Sequence, residues 1–559
     1  MAVPLLLFMV ALAARALFAA VFAEPAYPDA LYYANLARAL AEGRGFEVDY
    51  IWNFVEVGGV LPEAGRLPIP SNAHWMPLAA LVQVPFIWLL GPTPLASGLP
   101  FWLASAAVAP LTWSIGRDAG VEPWLAASAG LLVAIPGALA PYLGQPDNFA
   151  IFMLLGASAL WLCARGMRGD RRSFALGGVV VGLAVLSRTD GILLGLPFAL
   201  AAIHDLARAP RGSRIGWLPT VACVLGFLLV VTPWFWRQLD VFGSLTPSAS
   251  SGRILWISEY RELFSVTSEA TPASFLEQGL GGILWSRLGG LAIALVILAT
   301  LPLLFLLTPL LVAGVWSRRA DPSFIPWMVY AVALLAFTAI VSAVHVPYGT
   351  FIHSAVALVP HAYLLALVGL AGVVRWIAAR RPSWDGRRAV RNITAMVVGA
   401  VVLGSAGAAL VTTGAWKRER DGRTGVLAAL ASLGAPGDRV MSPDPGAYRY
   451  HGGWSGIVTP DDPLPVVEAA LGRYGVRWLA LEADHITEAL VPVLTGEVRP
   501  AWLSPPVVLM ADVADSDTGT RTDTGTDTDD PGAPADGDAV PRAALYAVCL
   551  ARPDARCSS

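Results

Sequence analysis

The stretch SFALGGVVVGLAVLSRTDGILLGLPFALAAIH, residues 173–204, decides how the chain is organised. By length it reads as one generous apolar helix, interrupted by the polar knot Ser187-Arg188-Thr189-Asp190-Gly191. It joins two arginine loops: Arg165, Arg168, Arg171 and Arg172 precede it, and Arg208, Arg211 and Arg214 follow it. Short cytoplasmic loops are enriched in Lys and Arg, so both loops belong on one side of a bilayer and an even number of crossings separates them. The stretch is therefore predicted to be two short helices, with the knot turning at the outer face.

The same parity orients the rest. Arg117, Arg318/Arg319 and the basic run Arg375 to Arg391 also belong inside. The segments between them include long runs free of Asp, Glu, Lys and Arg, such as Leu95–Gly116, Ile215–Trp236 and Phe324–Val344. Each is near the roughly 20 residues that cross a bilayer as helix. Of the 559 residues 56% are hydrophobic and 14% charged, and the mean hydropathy is +0.60, against about 25% charged in ordinary soluble domains. A soluble globule is excluded.

Eleven crossings follow: Val3–Ala23, Leu95–Gly116, Trp124–Ala140, Phe149–Ala164, Phe174–Leu186, Gly191–Ile203, Ile215–Phe235, Leu291–Val315, Phe324–Val344, Ser354–Val374 and Ile393–Thr413. His74 to Leu90 is apolar, but a full crossing there would place every basic loop outside, so it is expected to be a re-entrant or surface-lying outer helix. The N-terminus is then inside and the C-terminus outside. Val21-Phe22-Ala23 resembles a signal cleavage site, but Arg15 inside the first apolar core argues for a retained helix. The expected fold is a polytopic α-helical membrane domain, 1–414, with outer loops 24–94 and 237–287, and an extracytoplasmic α/β domain, 415–559.

In that last region Val426–Leu433, Pro463–Tyr474 and His485–Leu494 have helical periodicity, and Arg439–Ser442, Val476–Glu482, Val507–Met510 and Leu545–Leu550 read as strands. The tract Asp512 to Asp538 holds nine aspartates and one arginine; without a glycine-anchored repeat it reads as a disordered insertion. It also explains the net charge of −3, because the remaining chain is cationic. Lys417 is the sole lysine, so anion sites here are arginine or histidine sites, with the planar donor fork of guanidinium. Cys549 and Cys557 can pair in an oxidising compartment, whereas Cys163 and Cys223 read as core residues.

Ionisable residues retained at membrane depth are functional candidates. After the first crossing, Asp29 opens a stretch with Leu31, Ala34, Leu36, Ala37 and Leu40 on one face and Gly43 as its stop. It is predicted to be an amphipathic helix on the outer leaflet, with Asp29 either an N-cap after Pro28 or a chemical group.

From here the chain resembles a family. Asp29, Tyr32, Tyr33, Ala37, Leu40, Gly43, Gly45 and Phe46, followed by His74-Trp-Met-Pro-Leu78, are similar to the first outer loop of the GT-C class of integral-membrane glycosyltransferases, the relatives of bacterial protein O-mannosyltransferases and aminoarabinose transferases. Pro146-Asp147-Asn148 stands where such enzymes keep another acid, and Leu186-Ser187-Arg188-Thr189-Asp190-Gly191 resembles their L-T-R-P-E-G turn. The run from Pro233 through Arg237 and Phe242 to Pro247 resembles their P-W-x-x-R-N-x-x-x-F-G-x-P signature, and the tail around Gly475 resembles their outer domain. The chain departs from the family in reducing the first acid pair to Asp29, with Glu24 upstream, and in carrying the late Arg-Tyr…Pro motif as His345 to His353.

The resemblance implies transfer of a sugar from a polyprenyl-phosphate donor to a glycan, lipid or protein hydroxyl at the outer face of the plasma or inner membrane, with inversion. It implies no cofactor and no nucleic-acid partner. Asp29 is the expected general base, and Asp147 is expected to orient the acceptor, assist the base or hold Arg188 in place. Arg188, Arg237, His74 and Arg15 are the expected ligands of the departing phosphate. Asp190, Tyr348 and His353 are expected near the cavity. Each residue also has a plain structural reading: Arg237 as an interfacial anchor after Trp234-Phe235-Trp236, Arg188 with Asp190 as a salt-bridged turn, His74 as filler beside Trp75, Asp147 as a turn residue. A metal held by Asp29, Asp147 and His74 is conceivable, but no ligand spacing supports it. The rival classes are a secondary transporter, which would show related halves and interrupted helices in matching positions, and a non-catalytic envelope-assembly scaffold.

Overall fold

The computed structural model describes residues 2–208, 214–244, 251–381, 383–510, 541–550 and 557. Among these residues, eight helices are long and apolar enough to cross a membrane: Ala2–Val21, Pro94–Asp118, Asn148–Met167, Thr189–Ala207, Trp217–Phe242, Gly279–Thr300, Thr350–Ala378 and Gly386–Leu433. The pair Pro123–Ala134 and Gly137–Gly144, bent by 52°, makes a ninth. The chain is a multi-pass α-helical membrane protein.

All eleven expected crossings carry helix, with three corrections. Arg171–Ser187 and Ile325–Ile340 have 17 and 16 residues and fall short of a full-length span. The expected Leu291–Val315 helix is broken into Gly279–Thr300 and Thr308–Arg318. Between them Leu304 and Phe305 take φ of 48° and 57°, a region that side chains avoid. Composition is blind to this break because both sides are equally apolar. Tertiary contacts make it tolerable: Ala138 donates its N–H to the Leu301 carbonyl and Tyr363 its hydroxyl to that of Pro302, which satisfies backbone that a bilayer would leave bare.

The predicted polar turn is present. Helix Arg171–Ser187 stops at Arg188, whose extended φ/ψ of −150°/140° leads into the 3-10 turn Thr189–Leu194 and then helix Gly195–Ala207. Helix Trp217–Phe242 packs tightly on this unit, because a Cβ at Gly178 would fall 1.7 Å from the Cys223 carbonyl oxygen. The stretch His74 to Leu90 forms only the short helices Leu78–Leu81 and Val84–Leu90.

The α/β region has one six-stranded sheet in the order β1-β3-β2-β4-β6-β5, where β1 is Tyr50–Ile51, β2 Arg439–Ser442, β3 Ser455–Val458, β4 Trp478–Glu482, β5 Val508–Met510 and β6 Ala543–Ala547. β1 to β4 pair in parallel and β5 and β6 add antiparallel. Two-residue β1 comes from the first outer loop, far too short for a sequence pattern, and β3 and helix Pro445–Gly452 were likewise not foreseen. The expected helix Val426–Leu433 is the end of the 48-residue helix Gly386–Leu433, which runs on from the membrane. His485–Leu494 is mostly 3-10 turn, with helix only at Val491–Leu494. Cys549 and Cys557 form a disulfide. The Asp512–Asp538 tract lies outside the described residues.

Helix Pro28–Ala41 does not lie on the leaflet as expected. It is buried on nearly every side, because the α/β region covers it: Leu31 and Ala34 pack with Ala447 and Tyr450. Asn35 donates to the Gly446 carbonyl at 2.9 Å, and Arg38 donates to that of Tyr450 at 3.1 Å while lying over its ring.

Candidate functional site

Asp29 sits in the first turn of helix Pro28–Ala41, but Tyr27 occupies the N-cap position and no side chain caps the helix. Its carboxylate does not cap the helix, and the backbone N–H it meets is its own. Burial, then the nearby Asp147 charge, raise its pKa from 3.8 to about 7, against the opposing pull of His353 and Arg188. A carboxyl poised there is a competent proton acceptor near neutral pH.

Asp147 is fully buried as the N-cap of helix Asn148–Met167, where it accepts from the Asn148 N–H. Its other oxygen receives the Tyr27 hydroxyl and meets His353 Nε2, each at 3.0 Å. His353 Nδ1 lies 2.7 Å from the Gly349 carbonyl, which as an acceptor requires the proton on Nδ1. The ring stacks on Phe149 with centroids 3.8 Å apart. Nε2 also stands 3.8 Å from Asp29. His353 therefore links the two acids, a role the sequence does not assign because its partners lie hundreds of residues away. Asp29, Asp147 and His353 each offer one ligand atom, all within 4.8 Å of one another, so this trio, and not the one with His74, can converge on a divalent cation.

Two cavities meet at Asp29. The first, about 390 Å³, is lined by Tyr33, His74, Asn148, Ser187, Arg188 and Asp190, with Phe337 and Val341 as apolar wall. The second, about 930 Å³, lies under the α/β region. Trp52, Tyr260, Tyr348 and His353 line both, and Tyr260 and Tyr348 stack at 3.8 Å between ring centroids. Tyr260 belongs to outer loop 237–287 and escaped the sequence reading for want of any motif.

Arg188 is the sole guanidinium lining the first cavity among the described residues. Nε binds Asp190 at 3.1 Å and Ser354 at 3.0 Å, and Nη2 binds the Thr350 carbonyl at 3.2 Å. Asp190 is itself held by the Ser354 hydroxyl. The salt-bridged turn and the cavity cation are thus the same residue. Around it Asn148 Oδ1 and Ser187 Oγ are buried without hydrogen-bond partners, and the Tyr33 hydroxyl faces the Asn148 side chain. Buried polar atoms are rarely left so, and here they line the cavity.

Three expected phosphate ligands are placed differently. Arg15 is buried away from both cavities and donates to Ser105 and to the carbonyls of Ala134 and Ala140, caught by the bent helix end. Arg237 lines neither cavity; it donates to the Phe46 and Ser71 carbonyls at 3.3 and 3.0 Å and packs against Phe46, Trp234 and Phe242. It braces the first outer loop. His74 lines the first cavity, but burial, with His345 and Arg188 near it, lowers its pKa to about 3, so it is a neutral hydrogen-bonding group.

No protein-family model matches the sequence, and no curated protein matches it in sequence. Solved structures do match. The crystal structure of ArnT from Cupriavidus metallidurans in the apo state aligns with a TM-score of 0.51 at 14% identity, over 97% of this chain and 97% of that one. The same protein bound to undecaprenyl phosphate aligns at 0.50 and 13% identity, over 98% and 97%. From the first crossing to the α/β sheet, the chain has the GT-C fold.

Proposed function

We propose that the protein transfers a sugar from a polyprenyl-phosphate-linked donor to an acceptor hydroxyl at the outer face of the membrane, with Asp29 as general base. The observation that carries this reading is the uncapped carboxyl of Asp29, raised to about 7, at the junction of two cavities. ArnT, whose fold this chain shares, has been crystallised with undecaprenyl phosphate, and a lipid phosphate suits the first cavity: Arg188 supplies the positive charge, neutral His74 and the unpartnered groups supply hydrogen bonds, and Phe337 and Val341 supply apolar wall for a lipid chain. The acceptor enters from the second cavity.

In the step, the acceptor oxygen attacks the anomeric carbon while its proton passes to the Asp29 carboxylate. The bond from that carbon to the phosphate oxygen breaks, and polyprenyl phosphate leaves as an anion stabilised by Arg188. One displacement inverts the anomeric centre. Asp147 and His353 hold the base and set its charge. Membranes containing the protein should transfer label from one member of a panel of radiolabelled polyprenyl-phosphate sugars, and Asp29→Asn at equal expression should not. Labelling solely from a nucleotide sugar, with no lipid intermediate, would overturn the donor assignment. A transporter or scaffold would tolerate Asp29→Asn.

A further inference from the structure

The second cavity has a chemistry of its own. Five carboxylates line it, Asp29, Glu419, Asp444, Asp461 and Glu488, against two guanidiniums, Arg261 and Arg423. Both guanidiniums are already engaged. Arg261 pairs with Glu259 at 2.7 Å. Arg423 is shared among Glu482 at 2.9 Å, Glu419 at 2.8 Å and Asp444 at 3.6 Å. His353 and His485 also line it, each beside a carboxylate, so acidic groups outnumber basic ones by five to four and the balance of the wall is acidic.

Within this wall Asp444 is 4% exposed. Its Oδ1 accepts from the Ala447 N–H, whereas Oδ2 accepts no hydrogen bond, and the buried Thr487 Oγ1 beside the same cavity has no partner either. Arg423 Nη1 stands 3.6 Å from Asp444 Oδ2, an ion-pair contact beyond hydrogen-bond reach, so the buried Oδ2 can still take a hydroxyl donor. Trp52, Tyr142, Tyr260 and Phe264 line the same cavity. Carboxylate acceptors and aromatic rings in one cavity match a ligand with many hydroxyl donors and apolar C–H surface, and its acidic balance disfavours one that carries phosphate.

We propose that this cavity binds the acceptor as a neutral polyhydroxylated glycan, with Asp444 Oδ2 and Thr487 Oγ1 as its contacts, and excludes phosphorylated acceptors. The assignment rests on the transferase reading for the word acceptor, but binding itself does not. It also gives the α/β region a function beyond covering helix Pro28–Ala41, because Asp444 and Thr487 are its residues.

The test is calorimetric titration of the full-length detergent-solubilised protein with mannotriose, arabinotriose and their terminally phosphorylated counterparts, with undecaprenyl phosphate as the ligand of the other cavity. At least one neutral trisaccharide should bind, its phosphorylated form at least tenfold more weakly. Asp444→Asn, which keeps the Oδ1 cap, and Thr487→Val should each weaken the neutral sugar about tenfold and leave undecaprenyl phosphate binding intact, which also shows that the variants are folded. Equal or tighter binding of the phosphorylated sugars, binding unmoved by both variants, or binding of a Ser/Thr peptide in place of every trisaccharide would overturn the proposal. Trisaccharide binding without transfer from any polyprenyl-phosphate sugar would remove the transferase reading and leave the glycan site. Transfer to a phosphorylated lipid, without trisaccharide binding, would do the reverse.

Discussion

Asp29→Asn should stabilise the protein while abolishing transfer. In the folded chain the Asp29 carboxyl titrates near 7 instead of 3.8, with burial the main cause. A pKa raised by folding means that the protonated form is favoured in the native state. The wild type is therefore unpenalised below pH 4, loses stability progressively between pH 4 and 7, and bears the full cost above 7. At 1.36 kcal/mol per unit the cost reaches about 4 kcal/mol. The side chain is 23% exposed to the cavities, and water there screens the charge to roughly half that value. Asn has nearly the same shape and never ionises, so it escapes the cost. Apparent Tm, followed by tryptophan fluorescence from pH 4.5 to 8.5, should coincide for the two proteins at the acid end and diverge by a few degrees in favour of Asp29→Asn at the alkaline end. Transfer assayed on the same preparations should be lost. Parallel Tm curves would refute the buried, raised carboxyl, and retained transfer would refute the base.

The neighbours of Asp29 should move its titration in opposite directions. Asp147 raises the Asp29 pKa and His353 lowers it, so Asp147→Asn should carry the acidic limb of the pH–rate profile down, and His353→Gln up, each by about one unit; shifts of the same sign would contradict the arrangement. Arg188→Gln should raise KM for the lipid donor by about 10- to 100-fold, the worth of a charge-assisted contact. Arg15→Leu, which strands the Ala134 and Ala140 carbonyls, should lower Tm without changing that KM, and a changed KM would return Arg15 to the site. Arg423→Met leaves Glu482 and Asp444 without their cation and should cost about 3–5 kcal/mol, seen as faster proteolysis of the α/β region.

Much of this molecule is legible in its sequence because the membrane imposes local rules. A crossing needs an unbroken apolar run, and arginine loops alternate with parity, so residues 173–204 resolve into two helices from neighbouring residues alone. Strand Arg439–Ser442 was legible for the same local reason. The break at Leu301 to Leu307 was not, since an apolar run looks the same bent or straight, and neighbouring helices supply the hydrogen bonds that permit it.

The site divides along the same line. Sequence alone determined that Asp29, Asp147 and Arg188 are expensive to keep and so worth suspecting. Tertiary structure decided their roles. Asp29 escaped helix capping because Tyr27 took that position, and it gained its raised pKa from the burial that the α/β region completes and then from Asp147. Arg15 and Arg237, equally suspect as charges, were claimed by stray carbonyls within reach. A residue's type and its place along a helix are written locally, whereas the partner that consumes or frees its polar atoms comes from elsewhere in the chain, and folding alone brings the two within hydrogen-bond distance.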